Sequence, residues 1–323
     1  MSSRLIPPHV TVLFSLLITT LTITTTIAGA SKGSPAAAST SEPMASLWVE
    51  PADIAARDLF YGRGGSRLAP RPEVVYRFRD LDTRGHSGGY DVEDPKGRRW
   101  DVKIGDEAQS ETVVSRILWA IGYHQPVIHY VPRWRMTGGP TPAPDPGRFR
   151  LETDHEKAGE WSWKSNPFAG TRPFRGLLVA NWLLNNWDLA TSQNRIYKVK
   201  DSSGRGAEWF VVQDLGAALG KGGWPLGTRN AVADFESQGF VEGVEKGRVR
   251  FDYDSRHGDL LKQITPADVV WTCRLMSRLT DRQLDDAFRA AGYPPEVRGR
   301  FIQKIREKIR QGLALQTPDG SGS

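Results

Sequence analysis

The 323-residue sequence contains one cysteine, Cys273, so no intramolecular disulfide can form. A fold stapled by bridges, common among exported chains, is thereby excluded. Cys273 sits in the apolar stretch Val269-Val270-Trp271-Thr272-Cys273, where it reads as a buried, inert thiol. Long apolar runs are equally scarce. Beyond Ile27 none approaches the ~20 residues a membrane-spanning helix needs. There is no Gly-x-Ser-x-Gly elbow and no Cys–His pair, which removes the common nucleophilic hydrolases. His124 and His129 match no strong metal-ligand spacing, and no internal repeat is present. Charge of one sign does not dominate either: 43 Lys and Arg face 37 Asp and Glu. The resulting net charge of +6 suits an anionic partner such as a nucleotide, nucleic acid, acidic glycan or membrane surface, a weak signal given so many acidic residues; a nucleotide and no nucleic acid is the expectation.

The first feature present is an address. Arg4 is followed by an apolar stretch from Val10 to Ile27 and then Ala28-Gly29-Ala30, the small-x-small pattern read by signal peptidases. Thr19, Thr20, Thr22 and Thr24 to Thr26 dilute the stretch below what a permanent anchor wants. Residues 1–30 are therefore expected to be a cleaved signal peptide, and the mature chain to be secreted or periplasmic. Residues 31–50 begin with a run of Ser, Ala, Gly, Thr and Pro that cannot bury enough apolar surface to offset its ordering entropy, and are expected to be a disordered linker. Residues 51–317 suffice for a substantial core, leaving 318–323 as a disordered tail. A monomer is expected.

The first structured half reads as strand-rich. Val74 to Leu81 is a strand, and Tyr90 to Glu93 with Arg98 to Ile104 flank Asp94-Pro95-Lys96-Gly97 as a hairpin. A helix from Glu107 to Ile121 follows, then strands at Val127 to Trp134 and Arg148 to Glu152. The second half is helical at Pro173 to Asn186, Thr265 to Ser277, Asp281 to Ala291 and Pro295 to Leu313, interrupted by a hairpin of Arg195 to Val199 and Glu208 to Val212. This is an α+β pattern: a β-rich lobe with one helix over about 70–152, and a larger, mainly helical lobe over about 153–317.

Several polar residues stand in unexpected places. Lys103 lies inside the apolar strand Trp100-Asp101-Val102-Lys103-Ile104, and Glu111 lies one turn into the next helix. Glu111 precedes Val114 by three residues and Leu118 by seven, so it shares their inward stripe, where a lone carboxylate is costly. A Lys103–Glu111 pair removes that cost, with Glu107 as the competing partner. In the second hairpin, a turn centred on Gly204 makes Asn194 and Asp214 equidistant from the centre, and Asp188 lies just ahead of the first strand. Side chains of this kind, converging at the hairpin's open end, suit Mg²⁺ held together with substrate phosphates. Gly85, Gly88 and Gly89 precede the strand at Tyr90, and Gly62, Gly64 and Gly65 form a second glycine-rich stretch upstream.

A strand Lys, a helix Glu, an Asp-to-Asn loop and Asp214-Leu215-Gly216 after a hairpin, in that order, resemble the atypical branches of the protein-kinase-like superfamily, the HipA-like and secreted CotH-like kinases. The segments that carry the likeness are Asn186-Trp187-Asp188 and Asn194-Arg195-Ile196-Tyr197. The resemblance implies a two-lobed kinase-like fold binding ATP and Mg²⁺. It further implies that Lys103 grips phosphates and pairs with Glu111, that Gly85, Gly88 and Gly89, or less simply Gly62, Gly64 and Gly65, cover the phosphates, that Asp188 orients an acceptor hydroxyl, and that Asn194 and Asp214 hold the metal. The acceptor would be a protein, a small molecule or a glycan. Two departures stand out: Asp188 and Asn194 are six apart where the family usually has five, and Asp101 shares the Lys103 face where kinases place a small apolar residue beneath adenine. These favour a rival, a catalytically inactive pseudokinase scaffold. A second rival, an exported glycan-binding protein, rests on eleven Trp and on Trp161-Ser162-Trp163 as exposed stacking faces.

Overall fold

The structure is a computed structural model that describes residues 42–82, 88–140, 146–152, 155–200, 204–223, 225–252 and 254–315. The expected signal peptide, most of the expected linker, Gly85 and the expected tail over 318–323 lie outside the described residues. The end of the expected linker is corrected. Leu47 is fully buried and Trp48 donates from Nε1 to the Ile121 carbonyl at 2.8 Å, because these two residues carry the large apolar surface that the preceding stretch lacks.

Alternation along the first strands builds one sheet. β1 (Val75–Asp82), β2 (Gly89–Glu93), β3 (Arg99–Ile104), β4 (Ile128–Val131), β5 (Arg135–Thr137) and β6 (Gly147–Leu151) lie in the order β4-β6-β3-β2-β1-β5. The strand expected over 127–134 stops at Val131, since Pro132 has no amide to donate to a ladder, and β5 begins only at Arg135. Tyr76, Val92, Trp100, Val102, Phe149 and Leu151 bury one face of the sheet. The period of two then turns Asp101 and Lys103 of β3, and Arg148 and Arg150 of β6, to the opposite face. Register places Lys103 against Gly89 on one side and Arg148 on the other.

Two single-turn helices, α1 (Glu42–Ala45) and α2 (Gly65–Leu68), precede α3 (Glu107–Ala120). Val113, Val114, Ile117 and Leu118 of α3 join the core of the helical half, while the sheet keeps a separate core. The lobe boundary expected at 152 therefore does not separate the two cores. α3 lies against β3, β4 and β6 as well as against a helix of the second half, while its apolar stripe joins the core of that half.

The helical half holds α4 (Arg172–Leu183), α5 (Val232–Ser237), α6 (Gly258–Leu261), α7 (Pro266–Ser277), α8 (Asp281–Ala290) and α9 (Pro295–Leu313). Thr265 with Asp268 and Thr280 with Gln283 form capping boxes at α7 and α8, each satisfying two amides that the first turn would leave bare. Cys273 of α7 is buried, and burial pushes its thiol up to about 12. No helix among the described residues is long and apolar enough to cross a membrane.

β7 (Glu156–Gly159), β8 (Asn194–Lys200) and β9 (Gly206–Val212) form a three-stranded sheet, and β10 (Val241–Glu245) pairs with β11 (Arg248–Phe251). Neither β7 nor the β10–β11 hairpin is expected from sequence: β7 and β10 are short and mostly exposed, and only the four residues of β11 alternate, with Val249 and Phe251 buried. Trp161 and Trp163, the basis of the glycan-binding rival, are both buried and pack on one another with ring centroids 4.8 Å apart. Their faces serve the core.

Candidate functional site

A cleft of about 610 Å³ opens over the polar face of the first sheet, with Gly88, Lys103, Asp188, Gln193 and Asp214 among its lining residues. Lys103 is its centre. Its Nζ lies 2.9 Å from Glu107 Oε2, 3.2 Å from Glu111 Oε2 and 3.0 Å from Asp214 Oδ1. The expected partner and the competing partner both engage, so one ammonium serves three carboxylates. Burial works against the Lys103 charge, but Glu111, Asp214 and Glu107 outweigh it and hold its pKa well above the usual lysine range. Burial likewise opposes the Asp214 charge, yet Lys103 and the Gly216 amide keep that carboxyl below its ordinary value.

Asp214 reaches Lys103 because its loop docks on α3. Ser110 Oγ donates to the Gly216 carbonyl at 2.8 Å, and the Gly216 amide donates to Asp214 Oδ1 at 3.2 Å. A Cβ on Gly216 would lie 2.6 Å from Glu107 Cβ, so only glycine permits this approach. Gly88 and Gly89 line the cleft beside Lys103, and the space that a Cβ on Gly88 would fill is open for 4 Å. Gly62 and Gly64 serve packing instead, against Arg116 and Leu68 respectively.

The second wall differs from expectation. β8 and β9 pair Asn194 with Val212, two residues short of the expected Asp214. Asn194 is fully buried, donates from Nδ2 to the Trp161 carbonyl at 3.0 Å and does not line the cleft. Gln193, five residues after Asp188, lines it instead. Its carbonyl accepts from the amides of Gln213 and Asp214 at 2.9 and 3.3 Å, and its Nε2 donates to Asp188 Oδ2 at 2.7 Å. The sequence pointed to Asn194, whereas the structure buries that side chain and turns its neighbour Gln193 to the cleft. Asp188 is held on its other oxygen by Arg256 Nη2 at 3.1 Å.

Comparison of the sequence with known protein families and with curated proteins returns no match. Among solved structures, the chain is similar to the crystal structure of a Helicobacter pylori proinflammatory kinase, CtkA, at 11% identity and a TM-score of 0.46, over 74% of this chain and 96% of that one.

Behind Lys103 the floor is ionic. Asp101 lies 2.5 Å from Arg148 Nη1 and 2.6 Å from Arg150 Nη2, while Arg148 Nε lies 2.9 Å from Glu111 Oε1. Burial disfavours the Asp101 charge, but Arg150 and Arg148 hold its carboxyl far below the usual range. Arg148 and Arg150 carry a readable signal that the sequence analysis missed: their spacing of two on β6 puts both on the face that Asp101 and Lys103 share. Arg229 pairs with Glu107 across the cleft mouth. Among the described residues, no group of His, Cys, Asp and Glu side chains is arranged to cage a metal ion by itself.

Proposed function

We propose that the chain is a kinase-like phosphotransferase, exported on the strength of its Arg4 to Ala30 pattern, whose cleft binds a Mg²⁺-bound phosphoryl donor. The observation that supports it is the meeting of Lys103, Glu111 and Asp214, brought from three separate segments within 3.2 Å of one ammonium. Mg²⁺ commonly binds through one or two carboxylates plus substrate phosphates rather than in an all-protein cage. Asp214, partly exposed in the cleft, fits such a ligand; Asn194, buried against Trp161, does not, and Gln193 is the amide that faces the same space. The ion would neutralise charge on the transferred group.

In this reading Lys103, kept protonated by its neighbours, holds donor phosphate oxygens, and the bare backbone at Gly88 and Gly89 lies over them. Asp188 accepts the proton of an acceptor hydroxyl as that oxygen attacks the terminal phosphorus. The bond from phosphorus to the bridging oxygen breaks and the shortened donor leaves with its electron pair. The acceptor is a protein, small molecule or glycan. Titration of the purified chain with MgATP, followed by labelled phosphoryl transfer, tests the reading; absence of both binding and transfer overturns it. One observation favours an inactive scaffold as a second reading: Asp188 is already engaged by both Gln193 and Arg256. Tight binding without transfer to any acceptor would select it.

A further inference from the structure

We propose that the cleft recognises its ligand through a phosphate chain and provides no seat for a nucleobase, an inference that rests on the phosphoryl-donor reading above. A purine is ordinarily held between apolar or aromatic faces, whose stacking is sequence-tolerant and strong. Among the described residues, the apolar side chains that line this cleft are Val102, Trp187 and Pro225. Val102 points into the sheet's own core and is 1% exposed. Trp187 is 4% exposed, donates from Nε1 to the Thr228 carbonyl at 2.8 Å, and carries the Arg229 guanidinium 5.3 Å from its ring centroid. Neither presents a free face, and Pro225 stands at the exposed rim.

The inner floor, next to Lys103, is closed in another way. Asp101, Arg148 and Arg150 are 6%, 2% and 4% exposed and bind one another through both Asp101 oxygens. A base laid there would gain hydrogen bonds only by competing with the pairing that already engages both Asp101 oxygens, at the cost of desolvating a buried ion cluster. The rim is suited to anions: Lys157, Arg195 and Arg256 all line the cleft with side chains 25–39% exposed. Their present carboxylate partners, Glu152, Glu160 and Asp188, are themselves partly exposed, and such pairs are weak and readily exchanged for phosphate. Thus the depth of the cleft supplies Lys103, its rim supplies partly exposed cations, and among the described residues nothing between them is shaped for a base.

The test compares dissociation constants of the full chain for MgATP, MgGTP, Mg²⁺-tripolyphosphate and adenosine by calorimetry at fixed free Mg²⁺. ATP, GTP and tripolyphosphate are expected within threefold of one another, with tripolyphosphate displacing ATP and adenosine not binding. Lys157→Gln, at the exposed rim, should weaken ATP and tripolyphosphate by the same factor while leaving the melting temperature unchanged. A stacked base tightens binding by about tenfold or more. Binding of ATP at least tenfold tighter than tripolyphosphate, or competitive binding of adenosine, overturns the inference and leaves the phosphoryl-donor reading intact. If neither ATP nor tripolyphosphate binds, both fall.

Discussion

Lys103 and Glu111 form an ion pair of 3.2 Å between a strand and the helix that follows it, and Glu111 is at the same time 2.9 Å from Arg148 Nε. With Arg150 Nη1 also 3.7 Å away, the buried carboxylate has three cationic neighbours. This redundancy sets the size of the first expected effect. Breaking a buried pair costs ~3–5 kcal/mol when it strips an ion of its only partner. With Arg148 still in place, Lys103→Met should cost ~1–3 kcal/mol in urea unfolding and should remove phosphate-ligand binding altogether. A stability loss below ~0.5 kcal/mol, the level of ordinary surface changes, would show that the pair does not hold α3 to the sheet.

Gln193 and Asn194 should separate function from stability. Asn194 is wholly buried and donates to the Trp161 carbonyl, so Asn194→Ala should cost ~1–3 kcal/mol. Gln193 faces the cleft and touches Asp188, so Gln193→Ala should leave unfolding within ~0.5 kcal/mol and lower transfer instead. Paired denaturation and transfer assays on the two variants check the assignment. The reverse pattern would restore Asn194 to the cleft.

Much of this site was legible because its residues broke local rules: a lysine inside an apolar strand and a glutamate on an inward helical stripe both demand partners. Gly216 was readable too, as the glycine of an Asp-x-Gly turn. What failed was register. Equidistance from Gly204 paired Asn194 with Asp214, whereas the ladder pairs Asn194 with Val212, and a two-residue slip keeps every side chain on its face while changing which residue reaches the open end. Long-range partners such as Arg229 on Glu107 left no sequence trace, since nothing local marks a contact between residues 122 apart. The same holds for the position of α3, whose stripe announces burial but not the partner that buries it.

Lys308 offers a pH test away from the cleft. It is fully buried on α9, donates to Asn185 Oδ1 at 2.6 Å, and lies 4.4 Å from the Phe235 ring centroid. Burial, then Lys304, lowers its pKa to about 7, against weaker support from Asp252 and Glu307. An unfolded lysine keeps its proton to about 10.4, so between pH 7 and 10 the unfolded chain binds more protons and stability from this group rises with pH. Below pH 7 both states are protonated and the contribution is flat. The difference in unfolding free energy between pH 9 and pH 7 should therefore shrink by a few kcal/mol in Lys308→Met, at about 1.4 kcal/mol per pKa unit. An unchanged pH profile would mean that the ammonium is satisfied where it lies.

Asp188 and Asp214 should fail in different ways, which is the sharpest test of the proposed chemistry. Asp214 shares the Lys103 ammonium with Glu111 and Glu107, so Asp214→Ala leaves Lys103 two carboxylates and should fold. If Asp214 supports a Mg²⁺-bound donor, that variant loses Mg²⁺-dependent binding. A ligand at about 100 times its dissociation constant stabilises a folded chain by ~2.7 kcal/mol, so a melting shift present in the parent should vanish. Asp188 lies between Gln193 and Arg256, and Asp188→Asn removes the carboxylate needed to take a proton while preserving most of the shape. Donor affinity should stay within threefold and transfer should fall by ~10²–10⁴, the range of a lost general base. Loss of binding in Asp188→Asn would place that carboxylate on the ligand rather than on the acceptor. A parent that binds but never transfers would leave Asp188→Asn without effect, and would make the Gln193–Asp188–Arg256 chain part of a scaffold.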